Sequence, residues 1–271
     1  VVDGALPVAE GLALGARDDR RLHDLAAAVD RVDAAARGAG QARMAAAARA
    51  EAQTLHAEED AASGAIAAAG ADLLAGVRRL MTHCNTGALA TGGEGSALAI
   101  AAELHRRGEL TVIAGETRPL LQGARLTIWE LARMGIPHEL VVDAAGPGLI
   151  RRGLVDAVVV GCDRVAGNGD VANKVGTYPL ALAAREAGIP FVVAGPTSSI
   201  DAALDHGDAI EIEERHADEV RMVGAVSLTL PGTAVRNPAF DVTPAALVTA
   251  LVTERGTARP VDAAAIAGLL A

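Results

Sequence analysis

The residues of this chain best suited to chemistry crowd into one stretch, GCDRVAGNGDVANKVGTY, which holds Asp163, Asn168, Asp170, Asn173 and Lys174. Lys174 is the single lysine among 24 Lys and Arg residues. A sequence that otherwise writes positive charge as arginine keeps a compact point charge here in place of a planar guanidinium fork. The run VDAVVVGCD directly before it reads as a buried strand that ends in a carboxylate. Asp163 then emerges at the carboxyl edge of a sheet, where open α/β sheets keep their ligands. In a dry pocket such a carboxyl group has a raised pKa and can both take and give a proton near neutrality. The same residues fit a second reading, a strand-to-helix loop in which Asp and Asn only cap and turn.

Two further stretches have a similar make-up. In MTHCNTGALATGGEGSALAI, Cys84 and Asn85 end a strand and a glycine-rich turn leads into a helix. Backbone N–H groups at Gly92, Gly93, Gly95 and Ser96 would cradle a phosphate at the helix N-terminus. Glu94 opposes that use, and the spacing matches neither a Walker loop nor a dinucleotide fingerprint, so an ordinary turn is the competing reading. Cys84 is either a small buried hydrophobe or a second proton donor and acceptor. In GETRPLLQGARLTIWELARMG, Pro119 suits the first position of a helix, and Arg118, Gln122 and Arg125 then share a face. That face would read an anion or a hydroxyl with a guanidinium fork, or would simply be solvated. His83 points away from Cys84 by strand alternation and is expected to pack or to hydrogen-bond. Cys162 is expected in the core, and His105, His138, His206 and His216 on surfaces.

The elements that must position these residues change character near residue 78. Before it, Ala-rich stretches at 11–36, 41–62 and 64–80 read as helices, which predicts a helical N-terminal domain over residues 1–78. After it, short Val- and Ile-rich runs (RLMTHCN, LTVIAG, HELVVD, VDAVVVG, IPFVVAG, DAIEI) alternate with helical stretches at 95–107, 119–134 and 173–187. That alternation predicts an α/β fold, a doubly wound parallel sheet over residues 79–271. Gly135 and Gly188, each followed by Ile-Pro, punctuate two helix-to-strand connections in the same way. With 271 residues, 51% hydrophobic and 1% aromatic, the chain must build a large core from aliphatic side chains.

A net charge of −10 argues against nucleic-acid binding, which needs a basic footprint. No apolar run approaches the length of a membrane span, and no secretory signal is visible. Two cysteines in unrelated segments suit neither a disulfide framework nor a zinc knuckle, so a cytoplasmic setting is expected.

The three chemical stretches together resemble the methylthioribose-1-phosphate isomerase family. Its superfamily also holds ribose-1,5-bisphosphate isomerases and the regulatory subunits of eukaryotic initiation factor 2B. The matching segments are THCNTGALATGG, ETRPLLQGARLTIWEL, GCDRVAGNGDVANKVGTY, GIPFVVAGPTSSID, IEIEER and NPAFDVTPAALVTALVTERG. The resemblance implies a helical domain before a Rossmann-like one, a homodimer, a sugar-phosphate substrate, and neither metal nor cofactor. The implied activity converts 5-methylthioribose 1-phosphate, or a related 5-substituted sugar, to the ribulose 1-phosphate in methionine salvage. Carried onto matching positions, it makes Asp163 the proton donor and Cys84 its partner, with Gln122, Asn173 and Lys174 as substrate binders. Arg118, Gly92 and Gly93 join them as candidate binders from their own chemistry.

Two arginine-bearing elements of the family, Arg-Gly-Ala-Pro and Arg-Pro-Thr-Ala-Val-Asn, do not appear. The first is expected upstream of Val1 and the second near a contracted segment at Ala26–Val32. A non-catalytic regulatory or nucleotide-sensing relative is the alternative from another class. A dinucleotide-dependent oxidoreductase rests on the α/β alternation alone.

Overall fold

The computed structural model describes residues 19–38, 43–91 and 93–271. Its centre is a seven-stranded sheet in the order β3–β2–β1–β4–β7–β12–β13. The strands are β1 (Arg79–Thr82), β2 (Thr111–Gly115), β3 (His138–Val141), β4 (Ala157–Val160), β7 (Phe191–Ala194), β12 (Ala250–Thr253) and β13 (Gly256–Ala258). All neighbours run parallel except β12 and β13, which form an antiparallel hairpin at one edge. This is the expected Rossmann-like α/β sheet, and strand order reverses between β1 and β4.

Strict alternation along each strand divides the apolar side chains between two cores. Met81, Val158, Val160, Val193 and Leu251 pack on one face against helices α5 (Gly146–Arg151), α6 (Thr177–Ala187) and α8 (Ala263–Leu270). Leu80, Ala157, Val159, Val192 and Val252 pack on the other against α2 (Met44–Leu73) and α3 (Ala97–Arg107). Phe191 is the one aromatic among the largest fully buried side chains of the described residues, so aliphatic packing carries the core as composition demanded.

The N-terminal helices form a pair, α1 (Asp19–Gly38) and α2, tied by Arg31, which reaches Glu51 and Glu58 at 2.7 Å each. The segment at Ala26–Val32 lies within α1. The C-terminal half of α2 belongs to the second core through Ile66 and Ala71. The expected break at Gly64 is absent and α2 runs through it, because an exposed glycine in an Ala-rich helix costs only ~1 kcal/mol. The helical reading of residues 11–18 lies outside the described residues.

A second, four-stranded sheet, β11–β6–β5–β8, rises from the carboxyl edge of the first. It joins β5 (Arg164–Ala166), β6 (Val171–Lys174), β8 (Ile200–Asp201) and β11 (Phe240–Thr243). This corrects one expectation: Asn173 and Lys174 belong to a strand, and the helix after them begins only at Thr177. DAIEI is likewise no strand. Its start is a 3₁₀ turn at Gly207–Ala209, and Ile210 is buried against Ala166 and Ala172 of the second sheet. Further along, α7 (Asp218–Arg221) leads into a short hairpin of β9 (Met222–Val223) and β10 (Val226–Ser227). No helix among the described residues is long and apolar enough to cross a membrane.

Candidate functional site

The site is assembled where the central sheet changes direction. β1 and β4 lie in parallel register, with Leu80 opposite Ala157 and Met81 opposite Val158, so the loops leaving their carboxyl ends emerge side by side. Those loops start with Cys84 and with Cys162-Asp163. They touch: a Cβ built on Gly161 would stand 2.1 Å from the Thr86 methyl group, so only glycine lets the two loops close on each other. Crevices at such reversal points are where open α/β sheets bind ligands.

Cys84 has φ 63°, an unusual left-handed backbone for a residue other than glycine. Its neighbours enforce it. The Cys84 N–H donates to Thr117 Oγ1 at 2.9 Å, and Thr127 Oγ1 donates to the Cys84 carbonyl at 2.6 Å. Thr117, also at positive φ, is held in turn by Asp143, which accepts from the N–H groups of Thr117 and Arg118 at 2.7 Å each.

Behind this lies Glu130, a buried carboxylate on helix α4 (Ile128–Arg133). It accepts from Asn85 Nδ2 and from the Ala88 N–H at 2.8 Å each. Burial pushes its carboxyl group up, and the hydrogen bonds from Asn85, Ala88 and Leu89 pull the other way. Thr127, Glu130 and Leu131 recur at helical spacing and all are buried. That spacing is the sequence signal by which Glu130 could have been found.

The other half of the site comes from the second sheet. The Asp163 N–H donates to the Ala172 carbonyl at 3.0 Å, which sets Asp163 beside Asn173. Asn173 is buried and donates to Thr177 Oγ1 at 2.9 Å. Lys174 is 7% exposed, with its ammonium 4.4 Å from the centre of the Phe240 ring. Among the described residues it makes no ion pair. A buried ammonium resting on an aromatic face is a cation held ready for an anion or a row of hydroxyls.

For Asn168 and Asp170 the capping reading holds. Asp170 accepts from Asn168 Nδ2 and from the Gly207 and Ala245 N–H groups, fixing the β5–β6 turn to its neighbours.

Three expected binders sit differently. Pro119 does not open a helix: residues 118–121 form a turn, and helical backbone starts at Gln122 with a π-helical turn at Gly123–Thr127. Arg118 therefore does not share a helical face with Gln122 and Arg125. Its guanidinium donates to the carbonyls of Pro119 and Val220 at 2.9 and 2.8 Å. Gln122 keeps its buried Oε1 without a hydrogen-bond partner among the described residues, a polar group available to a ligand.

In the glycine-rich turn, the N–H groups of Ala90 and Thr91 are taken by the Gly87 carbonyl and that of Ser96 by Thr86. Gly93 lies against α2, where a Cβ would meet Ser63 Oγ at 2.7 Å and Asp60 Oδ1 at 3.1 Å. A carboxylate that close is a poor neighbour for phosphate. Gly92 lies outside the described residues.

His83 is buried, as alternation required, and its Nε2 lies 2.8 Å from the Val175 carbonyl. Behind it is a cavity of about 160 Å³ between β1, β2 and the starts of α5 and α6, lined by Met81, Val141, Asp143 and Leu180 among others. None of Asp163, Asn173 or Lys174 lines it, so the cavity is separate from the residues singled out in the sequence.

Asp241 was legible only as part of a matching segment. Its carboxylate caps α6, accepting from the Gly176 and Tyr178 N–H groups at 2.7 and 3.1 Å. Burial pushes this carboxyl group up from 3.8 to about 6, against the pull of those bonds. The folded protein then holds the proton more tightly than the unfolded chain. The group's stabilising contribution is full below pH 3.8 and is lost as pH rises through about 6. We expect the unfolding free energy of the wild type, relative to Asp241→Asn, to fall by about 2 kcal/mol between pH 4 and pH 7.5 in urea titrations. A difference that stays flat with pH would contradict this.

Comparison with known proteins agrees with the geometry. The model of the initiation factor 2 subunit family matches residues 22–260. A methylthioribose-1-phosphate isomerase of Syntrophotalea carbinolica is 53% identical over 210 residues, 77% of this chain and 61% of that protein. One from Alcanivorax borkumensis is 53% identical over 222 residues, 82% of this chain and 64% of its own length. The chain thus spans less than two thirds of these relatives.

Among solved structures, the 5-methylthioribose 1-phosphate isomerase of Pyrococcus horikoshii superposes with a TM-score of 0.80 at 40% identity, covering 84% of this chain and 64% of that one. The delta subunit of translation initiation factor eIF-2B from A. fulgidus superposes with 0.82 at 37% identity, covering 86% and 68%. The two superpositions are equally good, so backbone shape does not separate an isomerase from a factor subunit. Both the matched pattern and the shared architecture lead to one assignment: the chain belongs to the initiation factor 2 subunit family.

Proposed function

We propose that the protein is an aldose–ketose isomerase that converts 5-methylthioribose 1-phosphate to the corresponding ribulose 1-phosphate, in methionine salvage. The observation that carries this reading is that the loops bearing Cys84 and Asp163 leave adjacent parallel strands at the reversal point of the sheet, with Asp163 bonded through its N–H to the strand that holds the buried Lys174. Identity above 50% to relatives named for this activity supports it.

In this reading, the anomeric phosphate locks the sugar as a ring, so the reaction begins with a proton to the ring oxygen. Asp163 supplies it, then serves as base or as electrostatic support while hydrogen moves from C2 to C1. Cys84, fixed by Thr117 and Thr127, lies at the same carbons as the second proton-active group. Asn173, Lys174 and the Gln122 carbonyl oxygen bind hydroxyls and phosphate. Arg118 and Gly93 stay outside the reading, being occupied by backbone carbonyls and by α2. The sheet edge at β3, where Leu140 and Val142 are exposed, supports a homodimer in this scheme.

The test is a coupled assay on pure protein with 5-methylthioribose 1-phosphate, 5-deoxyribose 1-phosphate and ribose 1-phosphate. Conversion with preference for the thioether sugar is expected. Preference for a sulfur-free sugar would overturn the substrate. Binding without conversion would favour a regulatory protein, the reading to which the eIF-2B likeness belongs.

A further inference from the structure

We propose that His83 and Asp241 are positioning residues that clamp a single peptide unit from both ends and so fix Asn173 and Lys174 relative to Cys84. The unit is the peptide joining Val175 to Gly176, in the two-residue link between β6 and α6. Its carbonyl is bonded by His83 Nε2 at 2.8 Å, and its N–H donates to Asp241 Oδ2 at 2.7 Å. A carbonyl only accepts, so Nε2 carries the proton and the other ring nitrogen faces Asp143 Oδ1 at 3.7 Å. Burial pushes the His83 imidazole down, against the pull of Asp143, and the Val175 carbonyl selects the tautomer of the neutral ring.

The clamp joins two pieces of chain that the chemistry needs at fixed separation. His83 immediately precedes Cys84. Asp241 lies on β11, where it pairs with Asn173 while its neighbour Phe240 pairs with Lys174 and lends its ring to the ammonium. Asp241 therefore fixes the binding strand through the sheet register and the link after it through the carboxylate. Gly176 is required between them. Its φ of 106° disfavours any side chain, and a Cβ would stand 2.9 Å from His83 Nε2. Neither His83 nor Asp241 has a part in the proton transfers above, yet a buried imidazole and a half-buried carboxylate are spent on one peptide. Displacements near 1 Å in a binding group can cost a reaction about 10²-fold, which gives such a clamp its value.

The inference rests on the isomerase reading for the roles of Lys174 and Cys84, and its test separates the two. In the full chain, Asp241→Ala and His83→Phe are each expected to raise both KM and the calorimetric Kd for 5-methylthioribose 1-phosphate about tenfold, with kcat changed less than about threefold. The double variant should be little worse than either single one, since both act on the same peptide. His83→Gln, whose amide can still donate to the Val175 carbonyl, should recover most of the loss. Folded Asp241→Ala or His83→Phe protein that binds like the wild type, or single effects that add fully, would overturn the clamp.

Where one of Asp241→Ala and His83→Phe fails to fold, the other supplies the comparison, and where both fail, Asp241→Ser and His83→Leu replace them. Binding without turnover in the wild type would count against the isomerase reading alone, leaving Kd to judge the clamp. With no binding at all, amide exchange at Gly176 decides. Exchange at least tenfold faster in Asp241→Ala supports the clamp, and unchanged exchange rejects it.

Discussion

Asp163→Asn is expected to lower kcat/KM by about 10²–10⁴-fold while the protein unfolds at the same urea concentration as the wild type. Asparagine keeps the size and planarity of the side chain and removes only its ability to give and take a proton. The backbone contact of residue 163, its N–H on the Ala172 carbonyl, is indifferent to that exchange. The strand before it, Ala157–Val160, is fully buried and supplies much of the local stability. Substrate affinity, measured by calorimetry, should change far less than turnover. A variant that keeps activity within about tenfold would remove Asp163 from the proton-transfer step.

Glu130→Ala is expected to cost about 3–5 kcal/mol of stability and most of the activity. The carboxylate is the common acceptor for Asn85 Nδ2 and the Ala88 N–H, all within a loop that packs tightly around it. A Cβ on Gly87 would meet Glu130 Oε2 at 2.4 Å, so the loop has closed onto this side chain with no slack. Alanine leaves these donors without an acceptor and opens a hole beneath Cys84. Glu130→Gln should be milder, about 1–2 kcal/mol, because one carbonyl oxygen remains and shape is kept. Urea unfolding of the two variants measures the difference. Equal losses would mean that volume, and not hydrogen bonding, is what Glu130 contributes.

How far the sequence revealed this arrangement depends on the range over which each feature is determined. VDAVVVGCD was legible because a β-branched apolar run specifies a buried strand locally, and Asp163 follows at its end whatever the rest of the chain does. Lys174 was legible by composition. The strand that carries it was not read, although Asn168-Gly169 between RVA and VANK is a strong short-range signal for a hairpin. Gly169 does take positive φ there, at 90°. The left-handed turn at Cys84 had no local signal, since it depends on Thr117 and Thr127 arriving from elsewhere in the chain. The same holds for Arg118. Its spacing to Gln122 suggested a shared helical face, but Asp143 draws its N–H into a turn and the Val220 carbonyl draws off its guanidinium. Residues fixed by their own segment were found, and residues fixed by distant partners were misplaced or missed.

The cap on α6 bears on which anions the site can keep. A helix N-terminus is a ready seat for a small oxyanion, with N–H groups converging on one point. Here that seat is filled for good by the protein's own carboxylate, Asp241. Under the proposed function, a phosphate group would not be seated on the α6 amides, and Lys174, Asn173 and Gln122 are the candidate contacts among the described residues. Free phosphate or sulfate, lacking the sugar hydroxyls, would find the α6 amides already taken. In that reading, preference for the sugar over the bare ion would follow in part from a scaffold that fills the α6 N-terminus in advance.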